Sequence, residues 1–215
     1  MTGILFDLDG TLLDTLEDLY LATNRTLRHF GCPPRTRQEI RRFVGNGAAM
    51  QIHLSLPGTE NDPPEAEVLA HYQAYYNSCD HATVAPYPGV MEAVKKVAEK
   101  YPVAIVSNKP DPAVKALCAQ HFPGIYALGA TPDCPRKPDP AMVHKAMEAI
   151  GADRCVYVGD SEVDVLTANN AGAACLTVTW GFRDREDLIA AGAQHFCDAA
   201  QDLPQTIESI IQSRG

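Results

Sequence analysis

Short apolar runs that alternate with amphipathic helical stretches constrain this chain more than any other feature of its sequence. Gly3–Leu8, Val103–Ser107, Cys155–Gly159 and Ala174–Thr179 are apolar in nearly every position rather than alternating, as fits strands buried on both faces. Ala127–Ala130 is a shorter candidate, and His195–Cys197 reads as a short edge strand. Buried strands separated by helices predict an α/β fold, a Rossmann-like parallel sheet covered by helices.

The helix punctuation agrees. Asp111-Pro112 and Asp139-Pro140 each set an N-cap acceptor before a proline at the first helical position, where its missing N–H costs nothing. Gly151 is suited to close the second of these helices, and Pro88-Gly89 to open one running to about Lys100. Between the first two strands lies an insertion of about 75 residues, where a connection of about 2–6 is usual. It is helical in pattern. Leu16, Leu19, Tyr20, Leu27 and Phe30 recur at helical spacing, Thr36 and Glu39 form a capping box, and Val68–Tyr76 resumes the period after Gly45-Asn46-Gly47 breaks it. The expected division is an α/β catalytic core at 1–14 and 86–215 with a helical cap inserted at 15–85.

Composition narrows the partners. A chain of 215 residues with net charge −9 repels nucleic acid and anionic membranes, although a local cluster of cations or a metal can still hold a small anion. Seven scattered cysteines without C-x-x-C read as reduced, mostly buried thiols. Met1–Asp7 carries no basic, apolar leader, and no apolar run approaches the roughly 18 residues of a membrane span. The expectation is a cytoplasmic protein, monomer or homodimer, acting on a small molecule.

The chemistry concentrates at the end of the first strand, in Asp7-Leu8-Asp9-Gly10-Thr11-Leu12-Leu13-Asp14. Ligands of open α/β sheets bind beyond the carboxyl ends of the strands. A spacing of two sends Asp7 and Asp9 to one side of an extended chain, where two carboxylates repel unless a cation or a shared proton holds them. Mg²⁺ is the simplest such cation. Gly10 admits close backbone approach, and Thr11 offers a hydroxyl and an N–H suited to phosphate. No Walker loop, G-x-S-x-G or H-E-x-x-H occurs.

With that string in place, the sequence resembles the haloacid dehalogenase superfamily of phosphotransferases. Three further segments match its pattern in order: Val103–Lys109 with Ser107, Arg136-Lys137-Pro138-Asp139-Pro140, and Val156–Asp164 with Asp160. The resemblance implies that Asp7 is the nucleophile forming an aspartyl-phosphate and that Asp9 protonates the leaving oxygen, then activates water. It implies that Ser107 and Lys137 hold the phosphoryl group, with Arg136 or Lys109 as alternative cations. It implies Mg²⁺ on Asp7, the Asp9 carbonyl and Asp160, with Asp164 further out.

Phe30–Ala49 and Asn108-Lys109-Pro110 are similar to bacterial phosphoglycolate phosphatases. Asn108 joins the phosphate-binding set on that basis. Asn46 is expected to reach the pocket from the cap, although Gly45-Asn46-Gly47 reads equally well as a helix end and turn. Arg25, Arg28, Arg35, Arg37, Arg41 and Arg42 concentrate cations in the insertion, and one of them is a candidate partner for a substrate carboxylate. Trp180-Gly181-Phe182 follows the last main strand and reads as a turn with packed aromatics, with a lining of the site entrance as the alternative. The implied activity is Mg²⁺-dependent hydrolysis of a small phosphomonoester, 2-phosphoglycolate first. A phosphosugar mutase, a pyrophosphatase or nucleotidase, and a non-catalytic binding module remain open alternatives.

Overall fold

The structure, a computed structural model, describes residues 1–213. In chain order its elements begin with β1 (Thr2–Phe6), β2 (Leu13–Asp14), α1 (Leu16–His29), α2 (Arg37–Phe43), α3 (Gly47–Ser55), α4 (Glu65–Ser78) and β3 (Ala85–Pro86). They continue with α5 (Val90–Ala98), β4 (Val103–Pro110), α6 (Asp111–His121), β5 (Tyr126–Ala130), α7 (Ala141–Ala149) and β6 (Arg154–Gly159). The last are α8 (Glu162–Asn170), β7 (Ala174–Val178), α9 (Arg185–Ala190), β8 (His195–Cys197), a 3-10 turn at Ala200–Asp202 and α10 (Leu203–Ser213). The chain divides into two compact units, Met1–Asp14 with Pro86–Gly215, and Thr15–Ala85.

The first unit is built on a six-stranded sheet in the order β5-β4-β1-β6-β7-β8, parallel in every ladder. The α/β, Rossmann-like core is therefore present. After β1 the chain adds β4 and β5 on one side, then crosses back to add β6, β7 and β8 on the other. That reversal opens a crevice at the carboxyl ends of β1 and β6, the place where such sheets bind ligands. Successive strand residues point to opposite faces. Leu5, Val106, Leu128 and Tyr157 pack with Met142, Val143 and Ala146 of α7 and with Val165 and Ala168 of α8. Ile4, Phe6, Ile105 and Val158 alternate with them and are fully buried too. Each such side chain stabilises the fold by about 1.5–3 kcal/mol, enough to pin β1 in the sheet.

Several boundaries differ from the sequence reading for local reasons. β1 stops at Phe6, not Leu8, because the Leu8 carbonyl turns to accept from Leu12 and Leu13 N–H at 3.0 Å. β4 runs past Ser107 to Pro110, with a shift of register against β5 between Val106 and Pro110. Asp111 does not cap α6, whose cap position is Pro110; its carboxylate accepts instead from Gly129 N–H of β5 at 3.0 Å. The cap position of α7 is likewise Pro140, one residue later than expected, although Asp139 still accepts from Ala141 N–H at 2.9 Å; Gly151 ends that helix region at φ +67°.

The second unit consists of α1–α4. On α1, Leu16, Leu19, Ala22, Thr23 and Leu27 form the buried stripe. The expected Thr36–Glu39 capping box starts α2, with both reciprocal bonds made. Arg35 is fully engaged inside this unit: it donates to the Ser55 and Leu56 carbonyls at 2.8 Å and pairs with Glu39. That engagement removes it from the arginines offered as partners of a substrate carboxylate.

All seven cysteines are free thiols. Burial pushes Cys118 and Cys175 up to about 12 and Cys155 to about 11, which keeps these thiols protonated and unreactive at neutral pH. Among the described residues no helix is long and apolar enough to cross a membrane.

Candidate active site

Asp7 is the last residue of the first strand region tied to the sheet, through its N–H to the Val158 carbonyl at 2.8 Å. The chain then folds into a tight turn closed by Gly10 N–H on the Leu13 carbonyl at 2.9 Å. Gly10 has φ +84°, and a Cβ there would sit 2.3 Å from Asp160 Oδ2. From another direction Gly181 presses on the same carboxylate, where a Cβ would fall 2.4 Å from Asp160 Oδ2. Only glycine lets both loops close on Asp160.

Asp160, at the end of β6, is held from both sides. Thr11 Oγ1 donates to Oδ1 at 3.0 Å and Phe182 N–H donates to Oδ2 at 2.7 Å. Burial, reinforced by the nearby Asp164 carboxylate, pushes Asp160 up to about 7. Burial followed by Asp164 also raises Asp7 well above the usual carboxylate range. Asp164 lies on α8, where Ser161-Glu162-Val163-Asp164 forms a capping box. Its Oδ2 accepts from Ser161 Oγ at 2.6 Å and from the N–H groups of Ser161 and Asp160.

Lys137 ties the acids together. Its Nζ lies 2.8 Å from Asp7 Oδ1, 2.8 Å from Asp164 Oδ1 and 3.0 Å from Tyr157 Oη. An ammonium has three donors, and these are three acceptors. Burial opposes the charge on Lys137, but Asp164 and Asp7 overcome it and keep the amine protonated. Asp9 stands apart with a lysine of its own: Lys109 Nζ contacts its two carboxylate oxygens at 2.9 and 3.1 Å. Ser107 is buried beside it, with Oγ accepting from Lys109 N–H at 3.2 Å.

Four carboxyl groups thus face two ammonium groups, an excess of two negative charges once all four are ionised. One oxygen each from Asp7, Asp160 and Asp164 lies within 4.8 Å of the others, all buried. Hard oxygen donors, burial and unbalanced repulsion fit a divalent cation that prefers carboxylates.

The structure brings Asp7, Thr11, Ser107, Lys137 and Asp160 to the crevice, and gives Thr11 and Asn108 intramolecular partners that the sequence did not announce. The Thr11 hydroxyl is turned onto Asp160 and helps to orient that carboxylate. The Asn108 side chain, expected on phosphate, clamps the Lys137 loop: Nδ2 donates to the Lys137 carbonyl at 3.0 Å and Oδ1 accepts from Lys137 N–H at 2.9 Å. Asn46 belongs to the other unit, where it precedes α3 and makes no capping bond with its side chain.

Trp180-Gly181-Phe182 is more than a turn with packed aromatics, since it supplies a backbone donor to Asp160 and the Trp180 Nε1–H bond to the Thr11 carbonyl at 3.0 Å. The local pattern carried no signal for the Phe182 N–H, a main-chain group. Tyr157 was hidden likewise, because it reads as one more residue of a buried strand. Lys109 was visible only as a substitute for Lys137.

Residues 4–178 match the haloacid dehalogenase-like hydrolase family, and the chain belongs to it. Phosphoglycolate phosphatase 1 of Pseudomonas aeruginosa is 32% identical over 93% of this chain and 77% of its own length. A phosphoglycolate phosphatase of Cereibacter sphaeroides is 33% identical, over 94% of this chain and 97% of its own. A crystal structure from Lactobacillus delbrueckii subsp. bulgaricus superposes with a TM-score of 0.86 at 33% identity, covering 96% of this chain and 98% of that one. The protein is thus phosphoglycolate phosphatase-like, and within that kinship a phosphoric monoester hydrolase.

Proposed function

We propose that the chain hydrolyses 2-phosphoglycolate, as a Mg²⁺-dependent phosphatase working through an aspartyl-phosphate on Asp7. The observation that carries this reading is Asp7 itself, fixed at the carboxyl end of β1, 2.8 Å from Lys137 and within the buried triad with Asp160 and Asp164. The names of the relatives above support the choice of substrate.

In the first step an Asp7 oxygen attacks phosphorus, the bond from phosphorus to the ester oxygen breaks, and Asp9 gives its proton to that oxygen. In the second, water attacks the phosphoryl group, Asp9 takes the water proton, and Asp7 departs as a free carboxylate. Ser107 and Lys137 hold the transferring group, and phosphoryl transfer depends chiefly on such positioning and charge neutralisation. Asp7, the Asp9 carbonyl and Asp160 would hold Mg²⁺, which when bound offsets the charge of the phosphate dianion. Asp164, with its oxygens already engaged by Lys137, Ser161 and the Asp160 N–H, orients these groups rather than binding metal. Choice among phosphomonoesters is assigned, on sequence grounds, to the helical insertion and to Asn46 within it.

The test is a phosphate-release screen over a metabolite panel, with and without Mg²⁺. Turnover should require the ion and 2-phosphoglycolate should head the panel. A sugar phosphate, a nucleotide or pyrophosphate ranking well above it would contradict the substrate assignment.

A further inference from the structure

Lys109 stands beside the reacting groups with no part in the steps above. Its side chain is 3% exposed, and its ammonium bridges both oxygens of Asp9, itself 13% exposed. One cation in contact with both oxygens restrains the turning of a carboxylate more than a single contact does. The lysine is as firmly set as its partner. It ends the stretch of β4 where the register against β5 shifts, and its N–H is bonded to Ser107 Oγ. One strand end therefore positions both a residue assigned to the phosphoryl group and the cation on Asp9.

Asp9 needs this more than Asp7 does. Asp7 is anchored by its N–H in the sheet and by Lys137. Asp9 lies beyond β1 in the turn closed by Gly10, where a single bridge to Leu13 replaces the strand ladder. Yet a proton carrier must present its oxygen to the leaving group and later to water within a fraction of an ångström. Resting on the assignment of Asp9 as that carrier, we infer that Lys109 is the positioning residue of the proton transfers. It aims the Asp9 carboxylate and grips neither the phosphoryl group nor the leaving group.

The distinguishing readout is dependence on the leaving group. An alkyl oxygen needs a proton to depart, whereas p-nitrophenolate leaves readily without one. The measurement is kcat/KM for Lys109→Met, Lys109→Arg, Asp9→Asn and the double variant Asp9→Asn/Lys109→Met. The substrates are p-nitrophenyl phosphate and 2-phosphoglycolate, or whichever alkyl phosphate heads the panel.

Lys109→Met should lower kcat/KM about 10²-fold for the alkyl ester and less than about tenfold for the aryl ester. Lys109→Arg should hold the ratio of the two esters near that of the unaltered enzyme. Added to Asp9→Asn, Lys109→Met should cost the alkyl ester nothing further, since the two act as one unit. Equal losses on both esters together with weaker inhibition by inorganic phosphate would overturn the inference and make Lys109 a phosphoryl clamp. Losses that multiply in the double variant would overturn it as well. If Lys109→Met does not fold, the arginine variant and the double variant, in which both charges are gone, decide the matter.

Failure of the underlying reading looks different. Turnover retained in Asp7→Asn removes the nucleophile while leaving the ester ratio interpretable. An unchanged ratio in Asp9→Asn removes the proton carrier, and the role of Lys109 falls with it.

Discussion

At the residue scale, close packing around Asp160 matters as much as its charge. Gly181 has no room for a methyl group: a Cβ would meet Asp160 Cβ at 2.4 Å and the Gly10 carbonyl oxygen at 2.5 Å. Gly181→Ala must therefore push one loop away and turn the carboxylate that Phe182 N–H and Thr11 aim. Overpacking of this kind costs about 1–3 kcal/mol of stability. Disturbing the groups that orient a metal ligand weakens metal affinity by about 10–100-fold. A titration of activity with Mg²⁺ should show the half-saturating concentration rising by that factor in Gly181→Ala. An unchanged Mg²⁺ requirement would mean that Asp160 does not hold the ion. Nothing in Trp180-Gly181-Phe182 as a string announces this task, because its essential atoms are a main-chain N–H and an absent side chain.

At the scale of elements, the end of β4 and the Lys137 loop form one device. Asn108 stitches them with two bonds to the Lys137 main chain, so Asn108→Ala leaves a buried N–H and a buried carbonyl unpaired. Each such group costs about 1–3 kcal/mol. The expected result is a lower melting temperature together with kcat reduced about 10²-fold, because the lysine is no longer held in place. A raised KM with unchanged melting temperature and kcat would restore Asn108 to the substrate, as its sequence context suggested.

The elements themselves were largely legible. Strands buried on both faces of a parallel sheet read as unbroken apolar runs, and Thr36–Glu39 and Gly151 marked helix ends through local chemistry. What escaped the sequence was long-range. Asp9 meets Lys109, Asp7 meets Lys137, and Asp160 meets Phe182, each across a stretch of chain that no local pattern spans. The residue types of the site were therefore visible, while their partners were not. The bonds of Thr11 to Asp160 and of Asn108 to the Lys137 main chain were hidden for the same reason.

At the scale of the whole molecule, an acidic chain gathers four carboxylates and two lysines in one buried crevice, and that imbalance makes stability depend on pH and metal. Asp160 is raised to about 7, by burial first and Asp164 second, and Asp7 moves in the same direction. Between the ordinary carboxylate range and pH 7 the folded metal-free protein binds more protons here than the unfolded chain. Stability from these groups is therefore full at low pH and lost as pH rises through about 7.

The divalent cation proposed above would replace those protons. Thermal melting should show Mg²⁺ raising the transition more at pH 8 than at pH 5.5. A protein of this size gains about 2–4 °C per kcal/mol. Asp160→Asn should stabilise the metal-free protein at pH 8 by about 1–3 kcal/mol, since the Thr11 hydroxyl can rotate to accept from the amide. It should also shrink the Mg²⁺ effect. An equal Mg²⁺ shift at both pH values would contradict this electrostatic account.

The most direct test of the central claim is to trap the covalent intermediate. Enzyme turning over 2-phosphoglycolate with Mg²⁺ is quenched in acid within milliseconds, digested, and examined by mass spectrometry. The account predicts one phosphoryl increment on the peptide containing Asp7, lost along with turnover in Asp7→Asn. An increment on another residue, or phosphate release at the normal rate by Asp7→Asn, would show that Asp7 is not the nucleophile.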